Sequence, residues 1–429
     1  MKITYLGQAG LLFEKDGGNI MIYDVRNYGA IGNAKTLNTN AIQKAIDDCA
    51  LKNGGTVLLE DGIYMTGSIT LRSNVNLHIS RNAVLLGSPD CKDYPEKQNL
   101  KHVISENLPR NSNACMIFAE ESENISITGM GKIDCNGTSF VKAKQGDWTG
   151  WQFERIDAPT PPRVVFFTGC SNIKIEDITM VNQPSGWSYW IHDCDWVTFD
   201  KCKIFAEVNY PNNDGIHINS SRNVTISNCN IITGDDCIIV RANNRSLKEN
   251  KVCEKVTVTN CNLTSYSGGI RIGWISDGTI KNCTFSNLVM TDTVCGITIT
   301  LPDFQPLPDR GREDTLIENL MFDNIVMDGI YGLPIKIYIG QTDDTRCEAI
   351  RNISFSNIVS KGLESLYLCG RKDNKIKSIY FNNCRFECVS DQELPNFRQH
   401  GAADWDRKKE TPVFKNVENI VLNNTVFSE

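Results

Sequence analysis

The sequence predicts an all-β solenoid, a coil of short strands stacked turn on turn, and three observations point to it. A stretch of alternating residues ending in Asn recurs as NVTISNCNI (223–231), KVTVTNCNL (255–263), GTIKNCTF (278–285), NLMFDNIVM (319–327), NISFSNIVS (352–360), SIYFNNCRF (378–386) and NIVLNNTVF (419–427). Weaker copies begin at Asn124, Asn172 and Trp196. Alternation of this kind marks strands with one buried face. The copies fit a coil of about 22 residues stretched by insertions to roughly twice that, and each copy buries its apolar face only by stacking on the next. The repeated Asn228, Asn260, Asn282, Asn324, Asn357, Asn383 and Asn424 sit at one place in each copy. That predicts a turn whose side-chain amides form a ladder. A β-sandwich gives similar local signals, but irregular inserts around a constant motif fit a solenoid better.

The elements follow in order. Residues 1–22 read as a β-hairpin extension with Asp16-Gly17-Gly18 as its turn. Residues 23–429 form one solenoid domain, since no linker separates compositionally distinct parts. Residues 37–52 have helical periodicity, with Asn38 or Thr39 as N-cap and Gly54-Gly55 as the stop. This helix is expected to cap the open end of the coil, where an unpaired edge invites aggregation. Strands begin at Thr56, and two long inserts interrupt them: Asn136–Arg163, with Trp148 and Trp151, and Pro302–Thr315. Loops on a rigid scaffold commonly carry binding.

Net charge of −7, pI near 5.5 and the lack of a Lys/Arg cluster argue against a nucleic-acid partner. No run of 18 apolar residues suggests a membrane span. Met1-Lys2-Ile3-Thr4-Tyr5 lacks the apolar core of a signal peptide, so a cytoplasmic location is expected. The 17 cysteines are odd in number, and Cys202, Cys229, Cys261, Cys283 and Cys384 fall inside the repeat. There Cys behaves as a small buried hydrophobe. No CxxC pair occurs, so a thiolate metal site is not expected; no cofactor is expected either.

Two strings carry the chemistry: Asn212-Asn213-Asp214-Gly215-Ile216-His217-Ile218 and Gly234-Asp235-Asp236-Cys237-Ile238-Ile239-Val240. Asp214 precedes Asp235 and Asp236 by 21 and 22 residues, one turn of such a coil. Those positions stack on adjacent rungs ~4.8 Å apart. Three carboxylates in one patch repel, and at least one pKa should rise. A proton donor beside an ionised base is what glycosidic cleavage requires. Turn chemistry accounts for a lone Asp-Gly, but not for two such strings at one-turn spacing.

The chain also resembles glycoside hydrolase family 28, the polygalacturonase family, from about Asp24 onward. DVRNYGAIGNAKTLNTNAIQKAIDDC (24–49), GGTVLLEDGIYMTGSITLRSNVNLHI (54–79) and QPSGWSYWIHDCDWVTF (183–199) resemble its segments, NNDGIHI stands at its Asn-Thr-Asp-Gly, and GDDC matches fully. The resemblance implies a single-stranded right-handed parallel β-helix of the pectin-lyase-like type and inverting hydrolysis of pectin-derived oligosaccharides. It makes Asp235 the general acid, with Asp214 and Asp236 holding and deprotonating the attacking water.

Two departures bear on the substrate. Ser267 stands where the family has a His, and Thr298-Ile299-Thr300 where it has Arg-Ile-Lys for the uronate carboxylate. Arg271, on the same face as Ser267 by the period of two, and Arg241, after the GDD strand, are the cations that strand alternation places near the acids. Arg271 is the expected anchor of an acidic sugar, and a surface arginine paired with an acid is the rival reading for each. Asn212, His217, Trp187 and Trp274 complete the expected substrate-binding set. His217 and His192 are read as structural more than catalytic, and core packing competes with sugar stacking for Trp190. A neutral-sugar glycosidase, a carbohydrate-binding solenoid without catalysis and a polysaccharide lyase are the alternatives.

Overall fold

The computed structural model describes residues 2–5, 11–15, 18–146, 151–303, 314–343, 345–390, 392–394 and 412–429. It is a right-handed parallel β-helix. Successive turns add one strand each to an 11-stranded sheet, while the remaining walls form a continuous 24-stranded sheet. The pairings between rungs are parallel, as with Phe285 beside Phe322 and Phe322 beside Phe355.

The alternation seen in the sequence has a direct structural cause. In Thr279–Thr293, Cys283, Phe285, Leu288 and Met290 are buried. Asn282 and Asn287 of the same strand take left-handed backbone, φ 55° each, and bend it across two faces of the coil. Asn tolerates that conformation because its short side chain bonds locally. Two ladders result. One carries Asn228, Asn260, Asn287, Asn324, Asn357, Asn383 and Asn424, with amide contacts such as Asn383 to Asn357 at 2.7 Å and Asn424 to Asn383 at 2.8 Å. The other joins Asn74, Asn124 and Asn172 at 2.8 and 2.6 Å, and farther along Asn282, Asn319 and Asn352. Asn282 therefore belongs to the second ladder, and Asn287 takes the place expected for it. The alternation before each Asn is the same in both, so the motif alone does not separate them.

Inside the coil, Phe285, Phe322, Phe355 and Phe381 stack at 4.8–4.9 Å between ring centroids, the strand spacing itself. The cysteines of the repeat are buried, and all 17 cysteines are unpaired thiols.

At the N-terminal end, helix α1 (Thr39–Leu51) buries Ile42, Ala45, Ile46 and Cys49 against the first turns. Asn38 is its N-cap, but its amide bonds Ile31 and Thr36 rather than the helix. Gly54, at φ 100°, returns its N–H to the Cys49 carbonyl and ends the helix. Leu11–Lys15 lies antiparallel to Lys2–Tyr5 on one side and to Gly18–Asp24 on the other. Asp16 and Gly17 of the expected turn lie outside the described residues, as do Trp148 and most of the Pro302–Thr315 insert. Gly18–Asp24 runs across the expected boundary at 22 and pairs in parallel with Gly55–Leu59, the first full rung. No helix among the described residues is long and apolar enough to cross a membrane.

Candidate active site

The 11-stranded sheet positions the acids. Its central strands are Trp187–His192, Ile216–Asn219, Ile238–Arg241 and Gly268–Ile272. Ile216 pairs with Ile238, 22 residues on, and that register sets Asp214 and Asp236 one above the other at the strand entrances. Backbone bonds from Ser188 N to Asp214 O, Gly215 N to Asp236 O and Cys237 N to Gly268 O, each 2.9 Å, hold the stack. Rungs approach so closely here that a Cβ on Gly215 would lie 2.2 Å from the Cys237 carbonyl oxygen.

One oxygen from each of Asp214, Asp235 and Asp236 lies within 4.8 Å of the others. Asp214 and Asp236 are only 5 % and 4 % exposed, so the cluster is the buried floor of a cleft rather than a surface patch. Burial, then the Asp236 charge, raises the Asp214 pKa well above the carboxylate range. Burial, then Asp214 and Asp236, does the same to Asp235. Three such oxygens suit a cation, yet Arg271 already brings positive charge to them.

Each expected binding residue lines the same cleft of about 570 Å³. Arg271 Nε donates to Asp236 Oδ2, and Ser267 Oγ donates to Asp236 Oδ1 at 3.1 Å. Arg241 reaches the cleft but is held by the fully buried Asp277 in a two-pronged pair of 2.6 and 2.8 Å. Asn212 Nδ2 donates to Asp235 Oδ2 at 3.3 Å. His217 Nε2 meets Asp214 Oδ2 at 3.1 Å, and its ring stacks on Trp187 at 4.3 Å. Burial, then Arg241, drives the His217 pKa well below 6.5, so it faces Asp214 as a neutral imidazole. Trp274 lies under the Arg271 guanidinium at 5.0 Å. Trp190 is core, 3 % exposed and stacked on Phe166 at 4.8 Å. His192 is wholly buried between Thr168 and Ser246, its pKa pushed down to about 3 by burial.

Sequence reasoning missed further cations. Arg110, on the Pro109–Asn111 turn, and Arg245 line the cleft. Arg155, from the short strand Phe153–Arg155, donates to Asn212 Oδ1 at 2.6 Å. Arg271 and Arg241 are thus not the only cations near the acids. Arg110, Arg155 and Arg245 lie outside the strands of this sheet, where the period of two assigns no face. Trp151, in the long insert, also lines the cleft and donates from Nε1 to the Gly234 carbonyl at 2.7 Å, just before Asp235.

Comparison with known proteins finds relatives named as polygalacturonases. A probable polygalacturonase of Vitis vinifera is 27 % identical over 64 % of this chain and 55 % of its own length. An exo-poly-alpha-D-galacturonosidase of Dickeya chrysanthemi is 29 % identical over 51 % of this chain and 41 % of its own. The chain thus spans about half the length of these two relatives. An endo-polygalacturonase of Pectobacterium carotovorum subsp. carotovorum is 24 % identical over 83 % of this chain and 86 % of its own. Among solved structures, the family 28 exopolygalacturonase of Yersinia enterocolitica aligns with TM-score 0.73 at 20 % identity, covering 97 % of this chain and 77 % of that one. The hyperthermoactive exopolygalacturonase of Thermotoga maritima aligns with TM-score 0.68 at 20 % identity, covering 88 % of each. These likenesses bear on the fold. The sequence model for glycosyl hydrolases family 28 matches residues 105–393, about two thirds of the chain, and the protein belongs to that family.

Proposed function

We propose that this protein is an inverting glycoside hydrolase acting on pectin-derived, galacturonide-type oligosaccharides. The observation that carries the reading is the cluster of Asp214, Asp235 and Asp236 on the cleft floor, two of them with raised pKa. Asp235 is the general acid: burial beside two other carboxyls raises its pKa well above the usual carboxylate value, as a proton donor requires. Asp214 and Asp236, stacked on adjacent rungs, hold the attacking water, and the Asp236 carboxylate, paired with Arg271, takes its proton. Arg271 and Ser267 keep the Asp236 carboxylate aimed at that water, and Trp187 and Trp274 offer flat faces to sugar rings. The arginines of the cleft favour an acidic sugar, and the names of the relatives agree with a galacturonide.

One distance favours a second reading. Inverting enzymes commonly hold acid and base roughly 6.5–9.5 Å apart and retaining ones about 5–5.5 Å, whereas the nearest oxygens here lie within 4.8 Å. Retention would make one carboxylate a nucleophile. Proton NMR of the first turnovers on a galacturonate oligosaccharide decides: the inverted anomer is expected, and a retained anomer sinks the water-activating role of the Asp214–Asp236 pair.

A further inference from the structure

Arg271 and Arg241 come to the cleft already engaged with Asp236 and Asp277. Arg110 differs. Its Nη1 donates to the Ser185 carbonyl at 3.2 Å, but its Nη2 is buried with no hydrogen-bond partner among the described residues. A buried donor left unmet is costly unless a ligand completes it. Asp214 Oδ1, on the same cleft, is also buried and unpartnered.

The surroundings hold Arg110 in place. Its backbone is left-handed, φ 62°, as is that of Asn111 at φ 48°, a conformation that needs outside support for a non-glycine residue. Arg163 supplies it. Wholly buried over Trp190 at 4.0 Å, it donates to the Pro109 carbonyl at 2.7 Å and the Ser112 carbonyl at 2.6 Å, bracketing Arg110. Arg155 donates to the same Ser185 carbonyl as Arg110, at 3.0 Å, and to Asn212, which in turn touches Asp235. Two guanidiniums on one carbonyl repel unless an anion joins them.

We propose that Arg110 is the carboxylate-recognition residue of this cleft, its Nη2 donating to a uronate carboxylate of the substrate, with Arg155 and Arg163 as the residues that position it. The inference rests on the reading that the substrate is an acidic sugar. It explains how a chain with Thr298 and Thr300 in place of the family's cations meets that charge: recognition has moved from the strand stack to the Pro109–Asn111 turn and the Asn136–Arg163 insert. Burial, then Arg155, lowers the Arg110 pKa to about 9, and a bound carboxylate opposes that shift.

The test is equilibrium binding by calorimetry in the Asp235→Asn background, which separates binding from turnover. The probes are a galacturonate oligosaccharide and the same oligosaccharide with its carboxylates reduced to hydroxymethyl groups. Arg110→Gln should weaken the acidic probe roughly 10- to 150-fold, the range for a lost charged hydrogen bond, and leave the reduced probe within about threefold. Arg155→Gln should give a smaller loss with the same selectivity for charge. Arg110→Lys, which keeps the charge but not the fork, should weaken the acidic probe less than Arg110→Gln and decides the matter if that variant does not fold. An equal loss on both probes, or none, overturns the assignment of Arg110 while the acidic-substrate reading stands. A background protein that prefers the reduced probe, or binds neither, overturns that reading and this inference with it.

Discussion

Gly268 lies directly beside Asp236 in the strand stack, and adding one methyl group there should damage catalysis without damaging the fold. A Cβ at this position would sit 2.6 Å from Asp236 Oδ1, with its next neighbour, Asp236 Cγ, at 3.6 Å. To reach ordinary contact near 3.4 Å the carboxylate oxygen must retreat by about 0.8 Å. Catalytic groups work within roughly 0.5 Å of their productive geometry, and a displacement near 1 Å can cost about 10²-fold. The retreat also strains the contacts that Ser267 and Arg271 make with Asp236. Gly268→Ala is therefore expected to lower kcat about 10- to 100-fold on a galacturonate oligosaccharide, with the melting temperature within a few degrees of the natural protein. Ser267→Ala is the control: it removes one hydrogen bond but pushes nothing, about 0.5–1.5 kcal/mol, and kcat should stay within about tenfold. If Gly268→Ala keeps kcat within about twofold, the position of Asp236 does not set the rate and its assigned role fails.

Asp235→Asn and Asp214→Asn should each lower kcat at least ~10²-fold, the usual scale for losing an acid or base, as measured by reducing-sugar release. Stability should move the other way. A carboxyl whose folded pKa lies above its unfolded value contributes stability that is fully present below the unfolded pKa, near 3.9 for Asp, and lost as pH rises through the folded pKa. At neutral pH these two groups therefore oppose folding, so thermal melts of the Asn variants at pH 7 should show no loss, and a clear drop would refute the raised values. The same shift predicts that the alkaline limb of the kcat profile lies well above the ordinary carboxylate range and vanishes in Asp235→Asn. Asp277→Ala should destabilise by about 3–5 kcal/mol in denaturant melts, because it leaves Arg241 partly buried without its countercharge; a change below 1 kcal/mol would show the pair to be dispensable.

The fold and the acids were legible because both are written in regular spacing. Alternation marked the strands, and the interval between Asp214 and Asp236 equals a true rung, as the pairing of Ile216 with Ile238 shows. Spacing also brought Arg271 to the acids correctly. It did not reveal that Arg241 is committed to Asp277, since 36 residues and an irregular turn separate the two. Asn282 and Asn287 follow identical local patterns five residues apart, and only neighbouring rungs show which ladder each joins. Arg110, Arg155 and Arg245 sit outside the periodic strands, so no count along the chain brings them to Asp214. Their address comes from tertiary contacts such as Arg163 with the Pro109 carbonyl.

The rungs of the coil differ in length. Tyr189 pairs with Ile216 and Ile216 with Ile238, steps of 27 and 22 residues, whereas Val240 pairs with Ile272 and Ile299 with Ile337, steps of 32 and 38. Within the 11-stranded sheet, the shortest step is the one that joins the two acid-bearing strings. Extra length enters on other turns, in the segments between the paired strands. On the proposed roles of the three acids and of Arg110, bond-breaking and substrate choice are encoded in separable stretches of chain. Lengthening or exchanging the segments that carry Arg110 and Arg155 can retune which sugar is accepted while the carboxylates keep their positions.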